Sequence, residues 1–232
     1  KSGESYVYIP RWFGSWNPIY LFRAFRILRK KEHPVLTEFQ LLEWFDYGRA
    51  LVFLVTYPFH VWKFIGRLGD SIEDQLLRFA LWETLDTVIL KNYMRYLFGK
   101  EVSCLKNSEI KCISWYENQA SDKMFFRGLR HVSGKIKVFG AQLYLRTKTL
   151  LNVHPDESEI HFGVVPDKVL VNGPDYNLGL KVIPEEVGPS LRYGKLFRVK
   201  ADPARGDIIL ILLPYHDHVS RYILELIKEV DW

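Results

Sequence analysis

The clearest hydrophobic pattern lies in the middle of the chain. From Ile110 to Tyr116 a short apolar run of Ile, Cys, Trp and Tyr is bounded by polar residues, which predicts a brief buried strand. Phe125, Leu129 and Val132 then recur at i, i+4 and i+7, the spacing of one helix face, with Ser121 placed to cap the start and Gly134 to stop the helix. Ile136 to Gly140 predicts a second strand. The product is a strand–helix–strand unit. In open α/β sheets ligands bind beyond the carboxyl ends of the strands. Glu117, Asn118 and Gln119 occupy such an end, three polar side chains directly after an apolar strand. The competing use of Asn118 and Gln119 is to tie down loop backbone.

Upstream the pattern is helical. Leu36 to Trp62 is rich in aromatic and aliphatic residues, with Pro58 expected to end or kink the helix. Gly66 and Gly69 mark a turn. Asp70 then opens a helix, with Glu73 completing a capping-box spacing, and apolar residues continue around the circumference to Phe98. That predicts a long, largely buried helix carrying Glu83 and Asp86, each expected to meet an arginine. Gly99 to Asn107 is expected to be a loop. Pro18 to Lys31, PIYLFRAFRILRKK, mixes Ile19, Phe22 and Ile27 with Arg23, Arg26 and Lys30. A basic, aromatic helix of this kind suits an anionic membrane surface, and equally a helix packed on its own domain with a solvated basic face.

Downstream of Gln142 the chain is irregular, and HPDESEIH, His154 to His161, reads as a solvated acidic loop rather than a metal site. Lys168 to Val171 predicts a strand ending in Asn172-Gly173. DIILILL, Asp207 to Leu213, is a continuous aliphatic run, as expected of a strand covered on both faces. Pro214, Tyr215, His216 and Asp217 form its carboxyl-end loop. A helix follows, with Val219, Tyr222, Ile223, Leu226, Ile227 and Val230 on one face.

Composition changes this picture modestly. The chain has 232 residues, 48% hydrophobic and 25% charged, enough to bury a core and too apolar for disorder. The net charge of +5 suits an anionic partner. Cys104 and Cys112 lack a metal-ligand spacing and are too few for a disulfide framework, which points to a reducing cytoplasm. The glycine-rich dinucleotide fingerprint, the P-loop and the nucleophile elbow do not occur. Neither does an Asp-x-Asp pair. No metal and no cofactor is expected. The chain starts at Lys1 and stops at Trp232 just after a helix, so a piece of a longer protein is expected.

Four pieces in order, SWYENQASDKMFFRGLR, KVFGAQ, VVPDKVLVNGP and PSLRY, followed by DIILILLP, resemble bacterial surface-polysaccharide glycosyltransferases of the two-lobed GT-B type. Among these they are most similar to the Kdo transferases of capsule and O-antigen assembly. The resemblance spans about the last half of the chain. It implies an α/β, Rossmann-type fold with a helix-rich N-terminal part. Residues 1–160 would form the acceptor-side lobe, and 161–232 would begin an incomplete nucleotide-binding lobe, the break falling between about 145 and 168. It implies a sugar, Kdo from CMP-Kdo among the candidates, moved from a nucleotide donor to a glycan or lipid-linked acceptor. The work would be done in the cytoplasm, peripherally on the inner membrane through 18–31, with no nucleic acid as partner. Glu117 would be the catalytic base in the cleft between lobes. Asn118, Gln119, Gln142, Asn172, Gly173, Tyr215 and His216 would contact substrate, and Arg192 would face anionic groups. Such transferases carry a His-Pro dipeptide after a strand of the second lobe. His154-Pro155 precedes that lobe's first expected strand and is not equated with it. The alternatives from other classes are a non-catalytic glycan-binding or synthase-docking module and, more weakly, a sugar-nucleotide epimerase.

Overall fold

A computed structural model describes residues 7–10, 18–28, 30, 34–105, 110–132, 136–142, 153–188 and 217–228. The chain divides into two units, Lys1–Arg192 and Tyr193–Trp232. The first begins with α1 (Pro18–Leu28), α2 (Glu38–Leu41), α3 (Trp44–Ile65), α4 (Ile72–Glu83) and α5 (Val88–Ser103). It continues with β1 (Ile110–Trp115), α6 (Ala120–Leu129), β2 (Ile136–Ala141), α7 (Glu157–His161), β3 (Lys168–Val171) and β4 (Glu185–Val187). In the second unit the described element is α8 (Asp217–Lys228), whose Asp217 is ion-paired with Arg221 at 2.8 Å.

The fold is mixed α/β around a parallel sheet in the order β1–β2–β3–β4. β1 and β2 pair from Ile110↔Ile136 to Trp115↔Ala141, so the predicted strand–helix–strand unit is present. β3 joins β2 through Phe139↔Lys168, and β4 joins β3 through Val169↔Glu185. A parallel pair needs a crossover, and α6 supplies the first. α6 buries Phe125, Phe126 and Leu129 at i, i+1 and i+4, and the ring of Phe125 stacks on Phe98 of α5 at 5.9 Å. Val138 and Val169 complete this core from the sheet. α5 and α6 meet at two glycines. A Cβ on Gly128 would lie 2.2 Å from the Tyr96 carbonyl oxygen and 3.0 Å from Gly99 Cα. Only hydrogen fits there, so the helices touch backbone to backbone.

Several expectations are corrected. The long helix over 70–98 is two helices. Thr84 ends α4, its hydroxyl turned back onto the Leu81 carbonyl at 2.6 Å and accepting from the Tyr57 hydroxyl at 2.7 Å. The N-cap of α4 is Ser71, which accepts from Asp74 N–H at 3.1 Å, rather than Asp70. No residue of α4 is buried, and Glu83 and Asp86 are exposed. α3 runs through Pro58 to Ile65 and α5 through Gly99 to Ser103, because packing overrides the local breaker signals. Val132 lies beyond the end of α6, and that helix is capped at Gln119 rather than Ser121. The strand Lys168–Val171 is the third strand of the first unit's sheet, and that unit extends to Arg192. The predicted strand Asp207–Leu213 lies outside the described residues.

Candidate functional site

All the strands are parallel, so their carboxyl ends share one edge. That edge carries Tyr116–Gln119, Gln142, Asn172–Gly173 and Gly188. The sheet pairing continues one residue past β1, β2 and β4. Tyr116 N–H donates to the Ala141 carbonyl at 3.1 Å, Gln142 N–H to Leu170 at 2.9 Å, and Gly188 N–H to Val171 at 2.9 Å.

The loop after β1 is built around Asp122. This carboxylate, on the first turn of α6, is buried, and its Oδ2 accepts the backbone N–H groups of Glu117 at 3.1 Å and Gln119 at 3.3 Å. Between those two residues Asn118 turns the chain with φ +55°, the left-handed region that asparagine tolerates better than most residues. Gln119 then sits extended as the N-cap of α6. Its Nε2 donates to Oε2 of the half-buried Glu117 carboxylate. The N-terminus of α6 lies at this same loop.

Gln142 fixes the neighbouring strand end. Its Oε1 accepts the Asn172 N–H at 3.2 Å, which positions the Asn172-Gly173 turn. Gln142 is 5% exposed and Asn118 8%. Among the described residues, Gln142 Nε2 and Asn118 Oδ1 are buried without a hydrogen-bond partner. One is a donor and the other an acceptor. Leaving each unmet costs about 1–3 kcal/mol.

Glu117, Asn118, Gln119, Gln142, Asn172 and Gly173 therefore lie along one sheet edge. Arg192, Tyr215 and His216 lie outside the described residues. Asp122 was not singled out in the sequence. The signal was present, because an acidic residue three positions after Gln119 is the capping-box spacing.

The cations near α6 are occupied structurally. Arg130 donates to the carbonyls of Gly163 at 3.0 Å and Val165, and to Asp167 Oδ1 at 2.7 Å. Asp167 Oδ2 accepts Val138 N–H at 2.7 Å. Arg127 donates to the Phe162 carbonyl at 2.6 Å, and Lys123 pairs with Glu159 at 2.9 Å. Lys123 thus binds the HPDESEIH segment to α6, and Arg127 and Arg130 bind the residues that follow it. Within that segment Asp156 caps α7, accepting Ser158 N–H at 2.8 Å, which holds its carboxyl below the usual range. Among the described residues no cluster of three His, Cys, Asp or Glu side chains is placed to hold a metal. On β1, burial pushes the Cys112 thiol up to about 11, with the Arg95 guanidinium pulling weakly the other way.

No protein family, no curated protein and no solved structure matches this chain.

Proposed function

We propose that the chain belongs to a glycosyltransferase of the two-lobed GT-B type, which moves a sugar from a nucleotide-activated donor to a growing bacterial surface polysaccharide. The observation that carries this reading is the buried, unmet pair Asn118 Oδ1 and Gln142 Nε2 beside the half-buried Glu117 carboxylate, all at the carboxyl edge of a parallel sheet. A sugar hydroxyl satisfies both amides. A second hydroxyl of the acceptor, within reach of Glu117, gives its proton to that carboxylate while its oxygen bonds to the donor's anomeric carbon. The nucleotide leaves with the electrons of the broken bond. Gln119 holds the carboxylate in one rotamer through its hydrogen bond. In this scheme the first lobe runs to about Arg192, the nucleotide-binding lobe starts after it, and 18–31 rests on an anionic membrane surface. Kdo from CMP-Kdo is the first donor to test.

The test is saturation-transfer NMR of the chain with CMP-Kdo and with acidic surface oligosaccharides. Oligosaccharide signals that vanish in Gln142→Leu, with the melting temperature kept, support the site. Absence of binding by every sugar tried rejects it. A non-catalytic glycan-binding module is favoured by one observation, that Gln119 already engages the Glu117 carboxylate. Glu117→Gln separates the two readings, since it removes transfer in the first and leaves glycan binding intact in both.

A further inference from the structure

α3 has two apolar faces. The inner one is packed: Ala50 and Val61 are buried, and the Phe53 ring stacks on Tyr93 of α5 at 4.0 Å. The outer one carries Trp44, Leu51, Val52, Val55, Phe59 and Trp62, all exposed, Trp44 by 91%. At helical spacing these six fall within an arc of roughly 120° centred on Gly48, with no charged residue inside it. α4 carries a shorter apolar row, with exposed Glu83 at its end. Ile72, Leu76 and Phe79 are exposed at i, i+4 and i+7, away from the half-buried side of Asp74, Arg78 and Leu81. Exposed apolar surface on this scale exceeds what an isolated soluble chain ordinarily leaves in water.

The side chains at the margins say what covers it. Trp44 and Trp62 stand at the two ends of the α3 stripe, about 27 Å apart by helical rise, and Trp82 stands near the end of α4, all exposed. Indole rings collect at the boundary between hydrocarbon and water. Exposed Lys63 lies at the edge of the stripe and exposed Arg67 follows the end of α3. α1 independently exposes Arg23 and Arg26 beside Ile19, Phe22 and Ile27. Apolar side chains, indoles and flanking cations together are the chemistry that an anionic leaflet presents in complement. The turn between α3 and α4 is polar, with Asp70, Glu73 and Asp74, the last tied to Gly69 N–H at 3.1 Å and Ser71. Its acidic groups keep that turn on the water side of an anionic headgroup layer, and among the described residues no helix is long and apolar enough to cross a membrane. The geometry points to the α3–α4 hairpin as an in-plane docking element that seats the chain on an anionic phospholipid bilayer, with the outer face of α3 against the acyl chains. The site at the sheet edge has no part in this inference, so either can fail alone.

The experiment is co-sedimentation of the chain with vesicles of phosphatidylcholine and of phosphatidylcholine mixed with phosphatidylglycerol. The chain is expected to bind the mixed vesicles with a blue shift of tryptophan emission. Val55→Asp/Phe59→Asp, at two exposed positions and with circular dichroism as the check on folding, is expected to weaken binding about tenfold or more at any salt concentration. Arg23→Glu/Arg26→Glu is expected to remove only the salt-sensitive part. Failure of the chain to bind either vesicle overturns the inference, and so does unchanged binding by the Val55/Phe59 variant. So does a dimer in analytical ultracentrifugation that this variant dissociates without vesicle binding, since the face would then be covered by a second copy.

Discussion

Gln142 Oε1 accepts the backbone N–H of Asn172 at 3.2 Å, so a side chain at the end of β2 sets the main chain at the end of β3. The other end of the same amide, Nε2, is the buried donor left unmet. One residue thus ties the sheet edge together and offers a donor to whatever binds there. Gln142→Leu should lose both, lowering stability by about 1 kcal/mol for the broken bond and weakening oligosaccharide binding more than tenfold. Urea unfolding and NMR titration measure the two effects separately.

Glu117→Gln should keep the fold and lower sugar transfer by about 10²-fold or more in the full-length protein, the usual scale for a positioned base. Oligosaccharide binding should change little, because Asn118 and Gln142 are untouched. Transfer near the unsubstituted rate would remove Glu117 from the chemistry.

Asn118→Gly relieves an L-residue held at φ +55°. Stability is expected to rise slightly or stay within about 1 kcal/mol, while sugar binding falls, because the buried Oδ1 acceptor is gone. A variant as stable as its parent but weak for glycan would show that asparagine is kept for its amide. A variant that binds as well as the parent would show the reverse.

Asp122→Ala leaves two loop N–H groups, of Glu117 and Gln119, without their acceptor. A loss of about 1–3 kcal/mol in denaturant unfolding is expected, with loss of oligosaccharide binding because the loop is no longer held. Asp122→Asn, which keeps an acceptor oxygen, should recover part of both.

Cys112 supplies a pH dependence. Folding raises its thiol from the ordinary 9.0 to about 11, so the folded chain holds this proton more tightly than the unfolded one. That contribution is complete below pH 9 and is lost as pH rises through about 11. Urea midpoints should fall over this window, and Cys112→Ala should flatten the fall. At neutral pH a thiol reagent should modify exposed Cys104 and leave Cys112 largely untouched.

The strand–helix–strand unit was legible because its signals were local: an apolar run, a helical spacing and a strand following within one stretch. The edge position of Glu117, Asn118 and Gln119 followed from that unit alone. What could not be read was set by distant partners. Thr84 ends α4 with help from Tyr57, which lies far back in the chain on α3. β3 belongs to the first sheet because Arg130 and Asp167 lash the intervening segment to α6 and β2. An irregular stretch looks like a linker until such bonds are seen. The apolar circumference of 70–98 was read as burial, yet periodicity reports only that a face avoids water, not what covers it.

Gly99 and Gly128 set the distance from α5 to α6 by the thickness of two backbones rather than by the volume of side chains. Elsewhere in the core a lost or added methylene can be absorbed by a neighbour's shift. Here there is no slack, and a single carbon at either position pushes the helices apart. Gly128→Ala should therefore cost about 1–3 kcal/mol or more by calorimetric melting and should also displace the start of α6, on which the Glu117–Gln119 loop is mounted. Core variants such as Phe98→Leu should lower the melting temperature and leave glycan affinity alone. The glycine pair works as a mechanical stop: the chain can vary in what fills its interior while the position of its working edge stays in gauge.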